Sequence, residues 1–311
     1  MQEVSDIKHI YPWINGSDDT YVRWRADKVD KLSSLLKKPP VGIKNLANPD
    51  ESERATLLER CRIANMAIYA AKTPFGDAPA TRRALLSFTK AMGLHIAERH
   101  RSADNDGIVA LRVTRSAKQR GFIPYSRKPM NWHSDGYYNA ADNLIRAMIL
   151  HCEQPADDGG QNQFFDQEVA YMRLRDENPD FIAALSHPQA MTIPAHDEPG
   201  SERPASIGPV FSTDAETGRL LMRYTARTRS ISWRDDALTK QAVTSLQKIL
   251  GSDDPLMHTV TLTAGQGILC NNVLHNRTGF DKAGPEASQR LVYRMRFNNR
   301  LTTGEQINGQ A

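Results

Sequence analysis

The run NWHSDGYYN, residues 131–139, sets a histidine and an aspartate two positions apart, between a tryptophan and Gly-Tyr-Tyr. In an extended strand, residues i and i+2 point to one face, so His133 and Asp135 project together while Trp132 and Ser134 project the other way. An imidazole and a carboxylate side by side can grip one metal ion. A catalytic metal needs a third protein ligand, and the chain has nine histidines. His275 stands out, in GQGILCNNVLHNRTGFD, just after a short apolar run and in a polar, turn-like setting. Two histidines and one carboxylate on one face of a metal leave the opposite positions open. That set suits ferrous iron that must bind both a co-substrate and O₂. Zinc held by two histidines and an acid is the competing reading. The pairs His151/Glu153 and His196/Glu198 copy the spacing without the aromatic, turn-rich surroundings.

A second pattern lies in SQRLVYRMRF. On a strand, Arg290, Arg294 and Arg296 share one face, and Leu291, Tyr293, Met295 and Phe297 share the other. Arginines on a strand this apolar can meet anions inside a barrel, and a guanidinium binds a carboxylate through a planar fork. A 2-oxo dicarboxylic acid needs this combination: its keto-acid end chelates iron and its far carboxylate meets arginine. Arg223, Arg227 and Arg229 crowd MRYTARTRSISW. They read either as a solvated face or as a clamp for an acidic or zwitterionic substrate, with Arg223 the favoured member because it sits in the strand-like LLMRYTA. Tyr137 and Tyr138, next to the His-x-Asp, either line a substrate cavity or pack.

These residues need elements to hold them. DESERATLLERCRIANMAIYAAK reads as one helix, with capping-box spacing at Asp50 and Glu53 and an apolar face of Leu57, Leu58, Cys61, Ala64, Ile68 and Ala71. TRRALLSFTKAMG reads as a second helix, with Gly93 beyond its end. From about residue 108 short β-rich runs take over: IVALRV, MNWHSDGYY, LIRAMILHC, AMTIP, GPVFS, LLMRYTA, TVTLT, GILCNN and LVYRMRF. Turns rich in Gly, Pro, Asn and Asp separate them, the pattern of a sandwich or jelly roll. Two helical inserts interrupt it, FFDQEVAYMRLRDENPDFIAALS and DDALTKQAVTSLQKILG.

The 311 residues suffice for a large buried core. Forty basic against 36 acidic residues leave +4, with no long Lys/Arg block, so neither nucleic acid nor a membrane is expected as a partner. Cys61, Cys152 and Cys270 are far apart and form no C-x-x-C, which fits a cytoplasmic protein without a disulfide framework. No signal peptide or transmembrane run is visible.

His-x-Asp, a distant His and an Arg some dozen residues later resemble the Fe(II)/2-oxoglutarate-dependent dioxygenases. The wider context is similar to their TauD/TfdA (clavaminate synthase-like) branch. NWHSDG looks like that branch's W-H-x-D strand, DDGGQNQFFDQEVAYMRL like its G-G-x-T-x-F-x-D segment and helix, GQGILCNNVLHNRTGF like its distal-His segment, and RLVYRMRF like its terminal Arg strand. The matches run in the family's order from about residue 120 to 300.

The resemblance implies a mainly β fold with flanking helices around a double-stranded β-helix (jelly roll) core. It implies one catalytic domain over 1–311, with a mostly helical part at 1–105 and the core at 106–300. It makes His133, Asp135 and His275 the iron ligands and Arg290 the holder of the far carboxylate of 2-oxoglutarate. Arg294 falls at a position that meets a substrate anion in some relatives. The family's threonine is Asn162 here, an amide that can still donate to a carboxylate. The stretch DKAGPEASQ lengthens the path from His275 to Arg290 and reads as a loop bordering the substrate mouth. The implied reaction consumes 2-oxoglutarate and O₂, releases succinate and CO₂, and hydroxylates a small anionic or amino-acid-like substrate, or oxidises it by hydrogen abstraction. The alternatives are a nucleic-acid or protein hydroxylase or demethylase of the same superfamily, or a non-catalytic metal- or ligand-binding barrel. The sequence leaves the oligomeric state open, a homo-oligomer included.

Overall fold

The computed structural model describes residues 18–72, 78–95, 98, 106–114, 122–196, 202–229, 231–281 and 290–302. Helix α1 (Asp18–Leu35) leads to a short strand, β1 (Val41–Ile43). Helix α2 (Glu51–Ala64) starts at the expected capping box: Asp50 accepts from the Glu53 N–H, and Glu53 accepts from the Asp50 N–H. The sequence predicts that this helix continues to Lys72, but it ends at Ala64. Asn65 takes φ 54°, a left-handed conformation that its short polar side chain tolerates. MAIYAA then runs as strand β2 (Met66–Ala71), so Ile68 and Ala71 are strand residues. Helix α3 (Ala78–Ala91) is the expected second helix, and Gly93 beyond it has φ 75°.

Strands β3 (Val109–Leu111), β4 (Met130–His133), β5 (Ala147–Gln154), β6 (Asp158–Gly159) and β7 (Asn162–Phe165) follow. The first helical insert splits into α4 (Gln167–Glu177) and α5 (Pro179–Leu185). Pro179 cannot continue the first helix but suits the start of the second, which Asn178 caps. Then come β8 (Met191–Ile193), β9 (Ser206–Gly208), β10 (Phe211–Thr213), β11 (Leu220–Met222) and β12 (Ser232–Trp233). The second insert is α6 (Ala237–Leu250), with Ala242, Val243, Leu246 and Leu250 buried. Strands β13 (His258–Val260), β14 (Gln266–Cys270), β15 (Leu274–Arg277), β16 (Phe280–Asp281) and β17 (Leu291–Phe297) complete the described elements.

Two sheets carry the site. One has the order β1-β2-β14-β5-β17-β3, antiparallel except for the parallel pair β1/β2. The other, β13-β7-β15-β4, is wholly antiparallel. The region before residue 105 therefore supplies two strands of the larger sheet as well as helices. One face of that sheet shares a core with the smaller sheet, where Met148, Leu150 and Val292 cluster with Phe164, Phe165 and Leu274. Its other face sets Ile149, Tyr293, Met295 and Phe297 against Leu57 of α2 and Phe88 of α3. The three cysteines are free and buried. Among the described residues no helix is long and apolar enough to cross a membrane.

Two buried polar contacts fasten these elements. Lys28 of α1 is buried with its Nζ 2.6 Å from both Asp166 and Glu168, at the start of α4, and it also donates to the Ile63 carbonyl. A lysine is buried at tolerable cost only when paired in this way. On the outer face of the large sheet, the Tyr69 hydroxyl lies 3.1 Å from His151 Nδ1. Gly267 of β14 leaves room for that ring, since a Cβ there would lie 2.2 Å from Tyr69 Cζ.

Burial pulls the His151 imidazole down to about 4. The unfolded chain takes this proton near the ordinary value of about 6.5, whereas the folded chain resists until about 4. Neutral His151 thus contributes its full stability above about pH 6.5 and loses it as pH falls toward 4, on the order of 3 kcal/mol in all. Urea unfolding at pH 7 and pH 4.5 should show a smaller acid loss in His151→Gln than in the wild type. An equal loss in both proteins would assign it to other groups.

Candidate metal centre

His133 closes β4 and His275 sits in β15, directly opposite each other in the ladder. A bulge follows His275, between it and Arg277. Asp135 does not share the strand with His133, as its spacing predicts; β4 ends at His133 and the aspartate occupies the turn beyond. Gly136, with φ 68°, bends the chain there, and a Cβ at this position would strike Ile145 Cγ1 at 2.5 Å. The turn still delivers the carboxylate to the histidines. His133, Asp135 and His275 are all buried, and each offers a ligand atom within 4.8 Å of the others.

The donor atoms are prepared for a cation. His133 Nδ1 lies 2.8 Å from the Asn131 carbonyl and His275 Nδ1 lies 3.0 Å from that of Val273. A carbonyl only accepts, so Nδ1 carries the proton of each neutral ring and Nε2 keeps its lone pair. Burial, then the neighbouring His275, pulls His133 down to about 3, and burial lowers His275 too. Both rings are therefore neutral near pH 7. Burial alone would raise the Asp135 carboxyl, but Arg294 and Arg296 outweigh it and hold the group below the usual carboxylate range. Arg294 Nη1 lies 3.2 Å and Arg296 Nη1 3.5 Å from Asp135 Oδ1. Oδ2 is buried without any hydrogen-bond partner. An unpartnered carboxylate oxygen beside two imidazole lone pairs fits a divalent metal, since such a buried oxygen is otherwise costly.

Sequence reasoning missed Asn272, which aims the aspartate. Its Oδ1 accepts from the Asp135 N–H at 2.8 Å, and its Nδ2 donates to the carbonyls of Asp135 and Ile145. It sits in the turn between β14 and β15 with φ 52°. Only the asparagine pair in GILCNN hinted at it.

The arginine strand divides its labour. Arg294 and Arg296 face the shared core and meet Asp135, while Leu291, Tyr293, Met295 and Phe297 lie on the opposite side as the alternation predicts. Arg290 stands apart, half-buried, with its Cζ 5.3 Å from the centre of the Phe280 ring. Arg277 packs on the same ring at 4.8 Å. Burial lowers Arg290, and among the described residues no carboxylate pairs with it. Gly160 brings the chain close: a Cβ there would lie 3.5 Å from Arg290 Nε. Asn162 is buried nearby in β7, and its amide donates to the Gly160 carbonyl at 3.2 Å.

Arg223, the favoured clamp residue, is held by the protein's own acceptors. Nε donates to the Tyr137 carbonyl, Nη1 to those of Met191 and Gly208, and Nη2 to the carbonyl and hydroxyl of Ser206. All five N–H groups are thereby engaged by protein acceptors, so the side chain ties loops together at the wall of the cavity described below. Arg227 is exposed, with its guanidinium 5.8 Å over the Tyr137 ring. Tyr137 is buried with its ring 6.5 Å from that of His133, edge to face. A cavity of about 470 Å³, lined by Tyr137, Ile145, Arg146, Met222 and Arg223, touches the centre through Asp135; neither histidine lines it. The loop at 282–289, and Glu198 of the second His-x-Glu pair, lie outside the described residues.

This fold is shared with solved non-haem iron oxygenases. An asparagine oxygenase in complex with Fe(II), 3-hydroxyasparagine and succinate superposes with a TM-score of 0.60 at 13% identity, covering 88% of this chain and 91% of that one. Oxygenase OrfP with Fe, succinate and (3S)-hydroxy-L-Arg gives 0.59 at 17% identity over 88% and 85%. A taurine dioxygenase from Burkholderia xenovorans gives 0.54 at 15% identity over 84% and 88%. No curated protein sequence matches the chain significantly. The chain belongs to the taurine catabolism dioxygenase TauD, TfdA family, whose model matches residues 74–296.

Asn272→Ala removes three buried hydrogen bonds and places a Cβ-bearing residue with no polar side chain at positive φ. Unfolding in urea should show a loss of about 2–4 kcal/mol. A loss within about 0.5 kcal/mol of wild type, the range of ordinary surface substitutions, would mean that the aspartate turn holds itself.

Proposed function

We propose that this chain is an Fe(II)- and 2-oxoglutarate-dependent oxygenase. It hydroxylates a small anionic or amino-acid-like substrate, or oxidises it by related hydrogen abstraction, and releases succinate and CO₂. The observation that carries the proposal is the buried triad itself: two imidazoles with free Nε2 atoms and a carboxylate kept ionised with one oxygen unpartnered. His133, Asp135 and His275 would hold the iron, and Arg290 the far carboxylate of 2-oxoglutarate. Zinc chemistry on the same ligands leaves Arg290 without a purpose, whereas a dicarboxylic co-substrate supplies the anion that this guanidinium lacks. We also read the six- and four-stranded sheets as the two faces of a double-stranded β-helix, within one catalytic domain.

Bound iron supplies the oxidative decarboxylation of 2-oxoglutarate and the oxidation of an unactivated C–H bond. The chain's own residues do the positioning. Nδ1–H contacts to Asn131 and Val273 fix both imidazole rings, and Arg294 keeps Asp135 anionic despite burial. Phe280 stacks against Arg290 and would shield a carboxylate paired there from water, which would strengthen the pair. Tyr137, beside His133 and under Arg227, lines the side from which a substrate would approach. The 3-hydroxyasparagine and (3S)-hydroxy-L-Arg bound by two of the structural neighbours support an amino-acid-like substrate.

Incubation with Fe(II), ascorbate and 2-oxoglutarate should yield succinate, slowly without substrate and faster with members of an acidic and amino-acid metabolite library. No succinate from the wild type under any of these conditions sinks the proposal. Arg290→Ala should weaken apparent 2-oxoglutarate affinity by roughly tenfold or considerably more, since breaking a buried charge pair costs about 2–4 kcal/mol. An unchanged affinity would make Arg290 structural.

A further inference from the structure

Behind Asp135 lies a second buried carboxylate that the metal reading does not use. Glu98 follows α3 and is buried with Arg296. The two are joined twice. Arg296 Nη2 forms an ion pair with Glu98 Oε2, and the Glu98 N–H donates to the Arg296 carbonyl at 2.8 Å. The other carboxylate oxygen, Oε1, accepts from Asn139 Nδ2 at 3.0 Å. Asn139 in turn closes the Asp135 turn, its N–H donating to the Gly136 carbonyl at 2.8 Å.

Arg296 is thus shared between two acids, unequally. Its Nη2 belongs to Glu98, while Nη1 only grazes Asp135 Oδ1 at 3.5 Å. The Tyr138 hydroxyl accepts from both nitrogens, at 3.3 and 3.4 Å, and holds the fork in that orientation. The buried cluster contains two carboxylates, Asp135 and Glu98, and two guanidiniums, Arg294 and Arg296. Without the Glu98 charge, two guanidiniums would face a single carboxylate. A free guanidinium pairs best with both oxygens of a carboxylate at once. That arrangement would cover Oδ2, the oxygen now without a partner.

We propose that Glu98 is a positioning residue for the metal centre. It anchors Arg296 on its own carboxylate, keeps that arginine from forking across Asp135, and leaves Oδ2 open to the metal. The inference rests on the triad reading above, and the experiment separates the two.

Co(II) serves as the probe, titrated by calorimetry and by its d–d absorption, without 2-oxoglutarate or substrate. Glu98→Gln should bind it roughly 10–100-fold more weakly than wild type, the usual effect of losing a partner of a metal ligand. Glu98→Gln combined with Arg296→Met removes the competing fork and should recover affinity to within about threefold of wild type. A merely structural role for Glu98 predicts no such rescue. Wild-type affinity in Glu98→Gln, or a double variant as weak as the single, overturns the proposal. His133→Ala is the companion: Co(II) affinity should collapse, and if it persists the triad reading itself fails. Circular dichroism reports folding. If Glu98→Gln does not fold, Glu98→Asp takes its place, since it keeps the charge but draws the carboxylate back from Arg296 Nη2. Weaker Co(II) binding in Glu98→Asp then supports the proposal, and wild-type binding overturns it.

Discussion

A carboxylate must be charged to hold a cation, and burial opposes charge. The architecture around Asp135 answers that conflict. Arg294 and Arg296, from the larger sheet, reach across the shared core to an aspartate placed by the smaller one. The two sheets are thereby joined by opposite charges at their most functional point, and neither can shift far without stranding a buried ion. Breaking such a pair from one side is far more damaging than never having built it.

Much else follows from that placement. The histidines occupy a rigid ladder, so their rings need only a carbonyl each to fix the tautomer. Asp135 lies beyond the strand and needs more help: a glycine to bend the chain, Asn272 to hold its backbone and Arg294 to hold its head. Arg290, one residue before the strand that carries Arg294, is left without an acid among the described residues. Arginines a few residues apart in the chain thus have different duties, set by what stands opposite each.

The legible parts of the sequence were those in which residue type limits the chemistry. His133, Asp135 and His275 could be gathered from the chain because few side chains bind metals, and the structure brings all three to one point. The alternation in LVYRMRF carried over directly, since a strand has only two faces. For Arg223 the strand-like setting was visible and its five protein acceptors were not, because a sequence does not count carbonyls. The overlong helix at 50–72 has a similar cause. Ile68 and Ala71 fall at helical spacing from Leu57, Cys61 and Ala64, yet MAIYAA also suits a buried strand, and pairing with β14 decides. Asn272 and Glu98 act only through partners distant in the chain, so nothing local marks them.

The direct opposition of His133 and His275 carries a consequence for how the protein is assembled. Side chains on a strand alternate, so a slip of one residue between β4 and β15 would turn one imidazole to the far face. The bulge after His275 interrupts the ladder at that point and marks the native alignment against its neighbours. A divalent cation present while the strands dock would be gripped by the correct alignment and by none of the slipped ones. The ion would then act as a template, favouring one pairing among near-equals long before any substrate arrives.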